Sequence, residues 1–201
     1  AELLKPFLEG KDLKKWRIEP QDLWLIYIPK NAIAIDDYPA IKAHLLPFKE
    51  ALEKRATKQE WFELQQAQAA YVPAFEAPKV FYPDMSQGPK FSLDPRGYYM
   101  GNTGYFVPNA DWFLLGLMNS RIVWHHLCGT ADALRGGEWR LRLFSENVET
   151  IPIPTASNAQ RQEIARLAED CQRTAETRRA AQTDFCRRIP DLAPGGATAK
   201  L

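Results

Sequence analysis

With 201 residues, 45% of them hydrophobic, the chain can bury one substantial core and carry an appendage, which argues against two large independent domains. Its 26 basic and 25 acidic residues leave a net charge of +1, so any nucleic-acid surface has to be a local patch and not a global field. The three cysteines, Cys128, Cys171 and Cys186, are an odd number at wide spacing, which fits reduced thiols in a cytoplasmic protein better than a disulfide framework. No apolar run reaches the roughly 18 residues that a membrane span needs.

The chain opens Ala1-Glu2-Leu3-Leu4 without an initiator Met, as expected of a piece of a larger protein. A Gly10 turn follows, and then Lys11, Lys14, Lys15 and Arg17 crowd around Trp16. Such a cluster is either a solvated turn or a patch that meets phosphates. Leu23 to Lys30 is an almost wholly apolar run ended near Pro29 and predicts a buried strand. From Ile41 the period becomes helical, with Ile41, Leu45, Phe48 and Leu52 on one side. A break near 56–59 and a second short helix resuming at Trp61 are expected, the two together covering one face of the sheet.

Pro78 to Asn109 predicts strand, loop, strand, turn, strand: Lys79 to Tyr82, Phe91 to Leu93, then Tyr98 to Met100 and Tyr105 to Val107 about the turn Gly101-Asn102-Thr103-Gly104. The connections carry Ser86, Gln87, Lys90, Arg96, Asn102 and Thr103, side chains able to donate to or accept from a base edge. The 101–104 turn is expected to be a hairpin connection more than a contact. Asp111 to Cys128 predicts a capped core helix with Gly116 where another element approaches, and 139–143 alternates as a half-exposed strand with Arg140 and Arg142 on one face. After the extended Ile151-Pro152-Ile153-Pro154, Ser157 or Asn158 caps a long helix to about Arg188. Its apolar stripe is narrow enough to require a partner, on its own domain or another chain.

These elements add up to an α+β fold, a mixed and mostly antiparallel sheet packed with helices and followed by a long C-terminal helix. Residues 1–155 form the domain, 156–190 a spacer or packing helix and 191–201 a flexible tail. The dinucleotide-binding and phosphate-loop glycine patterns, Gly-x-Ser-x-Gly and metal-spaced His/carboxylate sets are all missing, and the adjacent His125 and His126 cannot share one helical face. No catalysis, metal or cofactor is expected of this segment.

The order of FLEGKDLKKW, PKVFYPDMSQGPKF, GNTGYFVPNADWFLLGLMNSR and GGEWRLRLFSENVETIPIP resembles the TaqI-like C-terminal specificity domain of restriction-modification enzymes, over most of residues 3–155. The likeness is greatest to the target-recognition domains of type IIG enzymes, and the passage from IPIP into the helix is similar to type I specificity subunits. The resemblance implies a bacterial reader of double-stranded DNA that serves an adenine methyltransferase upstream on the same polypeptide. That parent would use S-adenosylmethionine, and Mg2+ if it also carries a nuclease. Base-reading side chains in such relatives follow a strand like Lys79 to Tyr82, which puts Ser86, Gln87 and Lys90 at matching positions. Arg96 and Asn102 complete the base-reading set. Lys11, Lys14, Lys15, Arg135, Arg140 and Arg142 then fall to the DNA backbone. Where relatives have a charged run this chain has Gln87-Gly88-Pro89-Lys90, which leaves the bases read open. The competing reading is a protein-interaction or assembly module without DNA contact, for which the long helix would also serve as a dimer contact.

Overall fold

The structure, a computed structural model, describes residues 2–67, 69–134 and 136–192, with side chains to residue 189. The chain runs through β1 (Leu4–Leu8), β2 (Leu13–Lys14), β3 (Arg17–Ile18), β4 (Leu23–Ile26), α1 (Pro39–Leu45), α2 (Lys49–Glu53) and α3 (Val72–Glu76). The central part holds β5 (Lys79–Pro83), β6 (Met85–Ser86), β7 (Ser92–Asp94), β8 (Tyr99–Met100) and β9 (Gly104–Pro108). Beyond it come α4 (Trp112–Met118), α5 (Arg121–Thr130), β10 (Asp132–Leu134), β11 (Arg140–Arg142), α6 (Ser145–Glu149) and α7 (Asn158–Leu192). The tail expected at 191–201 lies, from residue 193 onward, outside the described residues.

The expected mixed, mostly antiparallel α+β architecture is present, as four small sheets instead of one. Their orders are β4-β1-β8, β10-β11-β6, β2-β3 and β7-β5-β9, and β1 with β8 is the parallel pair. The last sheet is the organising one. Every residue of β5 is buried, as its β-branched and aromatic content suggests. Its register sets Lys79 opposite Asp94 on β7 and Pro83 opposite Gly104 on β9. Val80, Tyr82, Phe91 and Leu93 face a core completed by Leu115 and Met118 of α4, Val123 and Leu127 of α5, Leu141 of β11 and Leu143 just beyond it. Lys79 and Asp94 are fully buried and joined at 2.8 Å, and the Asp94 carboxylate also accepts the N–H groups of Arg96 (2.7 Å) and Tyr98 (2.9 Å).

The outer edge of β7 is closed by two side-chain amides. Asn119 donates to Phe91 O (2.9 Å) and accepts from Phe91 N (3.3 Å). Two residues on, Gln172 of α7 donates to Leu93 O (3.2 Å) and accepts from Leu93 N (3.3 Å). Each amide imitates the backbone of a neighbouring strand, so the edge ladder is satisfied without one.

Several expectations change. The apolar run Leu23 to Lys30 is an edge strand: Ile28 is buried, but Trp24 is 62% exposed, because β4 pairs only with β1. The helix from Ile41 is cut into α1, a tighter turn at Leu46–Phe48 and α2, and Leu46 and Phe48 stay exposed. Residues 61–64 form a turn and no second helix, because the Glu63 carboxylate is buried and accepts the N–H groups of Asn31 and Glu60. The short helix of this region is α3 instead, with Pro73 in its first turn.

The turn at 101–104 is not a hairpin. β8 pairs with β1 and β9 with β5, so the turn crosses between two sheets. The single helix expected at 111–128 is two. Asp111 caps α4 through Leu114 N (2.8 Å), as expected, but Asn119 turns inward to Phe91, and Ser120 caps a fresh start through Val123 N (3.2 Å). The long helix finds its partner in its own chain: α7 lies on α4, where a Cβ on Gly116 would meet Ile164 Cγ2 at 2.8 Å. Ser157 and Gln160 cap its start reciprocally. Past the domain, Phe185 is 60% exposed.

Candidate nucleic-acid interface

The residues after β5 form a loop fastened at both ends. At its start Asp84 N donates to Thr103 O (3.0 Å), and Asp84 O accepts from Leu143 N (2.7 Å). β6 is then held by β11, with Met85 opposite Arg142 and Ser86 opposite Leu141. At the far end Phe91 is fully buried, gripped by Asn119, and its carbonyl accepts the Trp16 N–H at 3.2 Å. Between these anchors stand Gln87, exposed, and Gly88, Pro89 and Lys90, half-buried. Ser86 is buried, and its hydroxyl donates to Gly88 O, so it shapes the loop from inside. The Gln87 amide donates to the Glu138 carboxylate at 2.7 Å, which tethers the loop tip to the segment ahead of β11.

Two further segments flank this loop. The β2–β3 hairpin turns tightly through Lys15 and Trp16, with Lys14 opposite Arg17. Trp16 adopts φ 68, a left-handed conformation unusual for a large side chain and held here by its N–H bond to Phe91 and its packing on the main core. Ser92 Oγ lies 2.6 Å from Lys14 O and 2.9 Å from Arg17 O, so the hairpin is clipped to the start of β7. Lys11 and Lys15 are exposed, Lys14 half-buried with its ammonium on Lys11 O (2.6 Å), and Lys15 Nζ sits 5.8 Å from the Trp16 ring centre.

Gly10 N donates to Thr103 Oγ1 (2.9 Å), and a Cβ on Gly10 would stand 2.2 Å from Thr103 O, so only glycine allows this approach. It brings the Lys11 segment against the turn that carries exposed Asn102. The second flank is β11. Arg140 is exposed; Arg142 is half-buried, 3.4 Å from the Asp84 carboxylate and with its guanidinium 4.6 Å from the Phe144 ring centre. Arg135 lies outside the described residues.

Of the residues singled out from the sequence, Gln87, Lys90, Asn102, Lys11, Lys14, Lys15, Arg140 and Arg142 therefore gather around one end of β5. Arg96 does not join them. It follows β7 at the Lys79 end of β5, four strand steps or about 13 Å from the Pro83 end. There it lines a separate cleft of about 520 Å³ between the 93–98 segment and α7, with Arg17, Tyr98, Trp112, Arg173 and Arg179. The sequence pattern missed Glu138, whose only signal was its place between Gly136-Gly137 and an alternating strand, and the anchoring roles of Asn119, Thr103 and Trp16. Among the described residues no three His, Cys, Asp or Glu side chains gather as a metal site, and no helix is long and apolar enough to cross a membrane.

The geometry is that of a polar loop locked at both ends onto a mixed α+β scaffold, with cations on the hairpin and strand beside it. The chain belongs to the TaqI-like C-terminal specificity domain family, whose model matches residues 5–153. It is 26% identical over 184 residues to the type II methyltransferase M.BanIII of Aneurinibacillus aneurinilyticus, a match that covers 82% of this chain and 31% of that protein. Its fold is similar to part of the type IIL restriction-modification enzyme MmeI, solved in complex with DNA, at a TM-score of 0.54 and 17% identity. That match covers 84% of this chain and 22% of MmeI. The chain thus spans less than a third of either relative.

Proposed function

We propose that this chain is the DNA-reading part of a type IIG restriction-modification enzyme, joined to an adenine methyltransferase that precedes it on the same polypeptide. The observation that carries the reading is the Asp84–Phe91 loop. Its two ends are fixed by backbone and buried amide bonds, while Gln87 and Lys90 stand free of the core. Gln pairs bidentately with adenine and Lys with guanine in the major groove, each good pair adding roughly 1–3 kcal/mol of discrimination. Because Glu138 takes one amide hydrogen of Gln87, the second hydrogen and the carbonyl stay available, which is the donor and acceptor pair that adenine requires.

Lys11, Lys15 and Arg140 meet phosphates on either side of the loop, with Lys14 and Arg142 behind them, and fix register without reading sequence. Asn102 flanks the same end, whereas Arg96 serves the separate cleft. The methyltransferase part supplies the S-adenosylmethionine site, and any nuclease part its Mg2+.

The test is a salt series on binding of duplex DNA by the full-length polypeptide. Log affinity falls linearly with log salt, and Lys15→Ala and Arg140→Ala each reduce the slope by about 0.9, with little change in which sequence is preferred. Binding that ignores salt and both substitutions would favour an assembly module instead.

A further inference from the structure

Met85 is a large apolar side chain that the fold leaves 43% exposed, although Asp84 and Ser86 on either side of it are buried. The register of β6 is the cause. Ser86 lies opposite Leu141 and both turn into the core, so Met85 and the Arg142 opposite it turn outward. By the same alternation Gln87 stands on the outward side with Met85, and there its amide reaches Glu138, two residues ahead of Arg140. One face thus carries Met85 and Gln87 beside Arg140 and Arg142, and β10 adds Leu134 opposite Arg140 and Asp132 opposite Arg142.

Three properties of the position narrow what Met85 can meet. It is held firmly, since Asp84 just before it donates its N–H to Thr103 O (3.0 Å) and accepts from Leu143 N (2.7 Å). Its surroundings are electrically balanced, because the Arg142 guanidinium lies 3.4 Å from the Asp84 carboxylate and Asp132 stands opposite Arg142 on the far side. It is also isolated: Leu134 is half-buried and two strands away, and the Phe144 ring is half-buried with the Arg142 guanidinium 4.6 Å from its centre. One apolar side chain among polar ones is too small a surface to hold a protein partner. It matches a single apolar group set among hydrogen-bonding groups, which the major groove of DNA offers in the C5-methyl of thymine. That groove also admits a two-stranded ribbon, and β6 with β11 is one.

We propose that Met85 reads a thymine by packing its thioether against the C5-methyl group, so that the outward face of β6 and β11 is a reading surface continuous with the Asp84–Phe91 loop. The inference rests on the proposed function and adds an apolar contact to its polar ones. Side chains on one side of a strand recur about every 6.6 Å and base pairs stack about 3.4 Å apart, so where β6 follows the groove the thymine lies about two base pairs from the pair that Gln87 reads.

The experiment measures duplex binding by the full-length polypeptide, with each thymine of the preferred site replaced in turn by deoxyuridine, which lacks only that methyl group. One replacement, about two base pairs from the position where Gln87→Ala changes the preference, is expected to weaken binding about fourfold, the effect of leaving one methyl-sized group in water. Met85→Ala should bind the thymine and deoxyuridine duplexes equally at that position and keep its discrimination at the others, and Met85→Leu should restore the difference. A difference that survives Met85→Ala, or none at any position, would overturn the proposal. Equal weakening of every duplex by Met85→Ala would overturn it too, because the side chain would then serve the fold or a protein contact. If Gln87→Ala and Lys90→Ala change the preferred bases while Met85→Ala leaves thymine discrimination intact, this inference alone fails. If duplex binding shows no sequence preference at all, the functional reading fails with it.

Discussion

Asp94→Ala is expected to cost about 3–5 kcal/mol, because it strands the fully buried Lys79 ammonium without its partner. Asp94 also holds the Arg96 and Tyr98 N–H groups, so the turn from β7 to β8 loosens with it. For a chain of this size the melting temperature should fall by about 2–4 °C per kcal/mol. The pH dependence identifies the cause. Burial already pushes the Lys79 ammonium below its ordinary 10.5, with Asp94 opposing that shift, and removal of Asp94 lowers it further. Between the lowered value and 10.5 the unfolded chain holds more protons than the folded one, so stability rises with pH in that window. Urea unfolding should therefore show a deficit that shrinks as the pH is raised toward 10.5. From 10.0 upward a second effect opposes this rise in wild type and variant alike, because burial pushes the phenols of Tyr27, Tyr82 and Tyr99 upward and the unfolded chain ionises them first. A deficit that does not change with pH would mean the loss comes from the turn and not from the stranded charge.

Asn119→Leu is expected to cost about 1–3 kcal/mol for each backbone group of Phe91 it leaves without a partner, even though leucine is apolar and close in size. The effect reaches beyond stability, since Phe91 is the far anchor of the Asp84–Phe91 loop. Hydrogen exchange should show the 85–91 amides opening well before the amides of β5, whereas Gln172→Leu, acting two residues further along at Leu93, should destabilise with less effect on the loop. Equal opening in both variants would show that the loop is held by β6 and β11 alone.

The elements that the sequence made legible are those with strong local rules. Lys79–Tyr82 reads as a strand because its side chains fit a pleated surface, Asp111 and Ser157 read as caps because their oxygens reach the first free amides, and Gly116 reads as a close approach because it interrupts an apolar helix. The departures come from tertiary bonds that no local pattern contains. Glu63 bends 61–64 into a turn by accepting the amides of Glu60, three residues before it, and of Asn31, 32 residues before it. Asn119 splits a continuous apolar helix to reach Phe91, 28 residues away. The run Leu23–Ile28 is as apolar as a core strand, yet only its end is buried, since periodicity reports which side chains are apolar and not whether a neighbour covers them.

The same distinction holds at the candidate interface. Loop position and charge type marked Gln87, Lys90, Arg140 and the lysine hairpin, which the topology brings together. Arg96 looked equivalent in the sequence, but the length of β5 separates it from the Asp84–Phe91 loop, and it lies instead in a cleft with Arg17 on the far strand of the hairpin. Ser86 looked equivalent too, but the pairing of β6 with β11 turns it inward. Which residues share a face was thus fixed by strand direction and pairing, and those are long-range facts.

The most direct test of the account is the sequence methylated in DNA by the full-length polypeptide when Gln87 and Lys90 are replaced. Gln87→Ala and Lys90→Ala are each expected to relax or change the preferred base at one position of the site, by roughly 1–3 kcal/mol or about 5- to 150-fold in discrimination, while methylation of permissive sites continues. Methylation that slows uniformly at an unchanged sequence, or does not change at all, would contradict the claim that the Asp84–Phe91 loop reads bases.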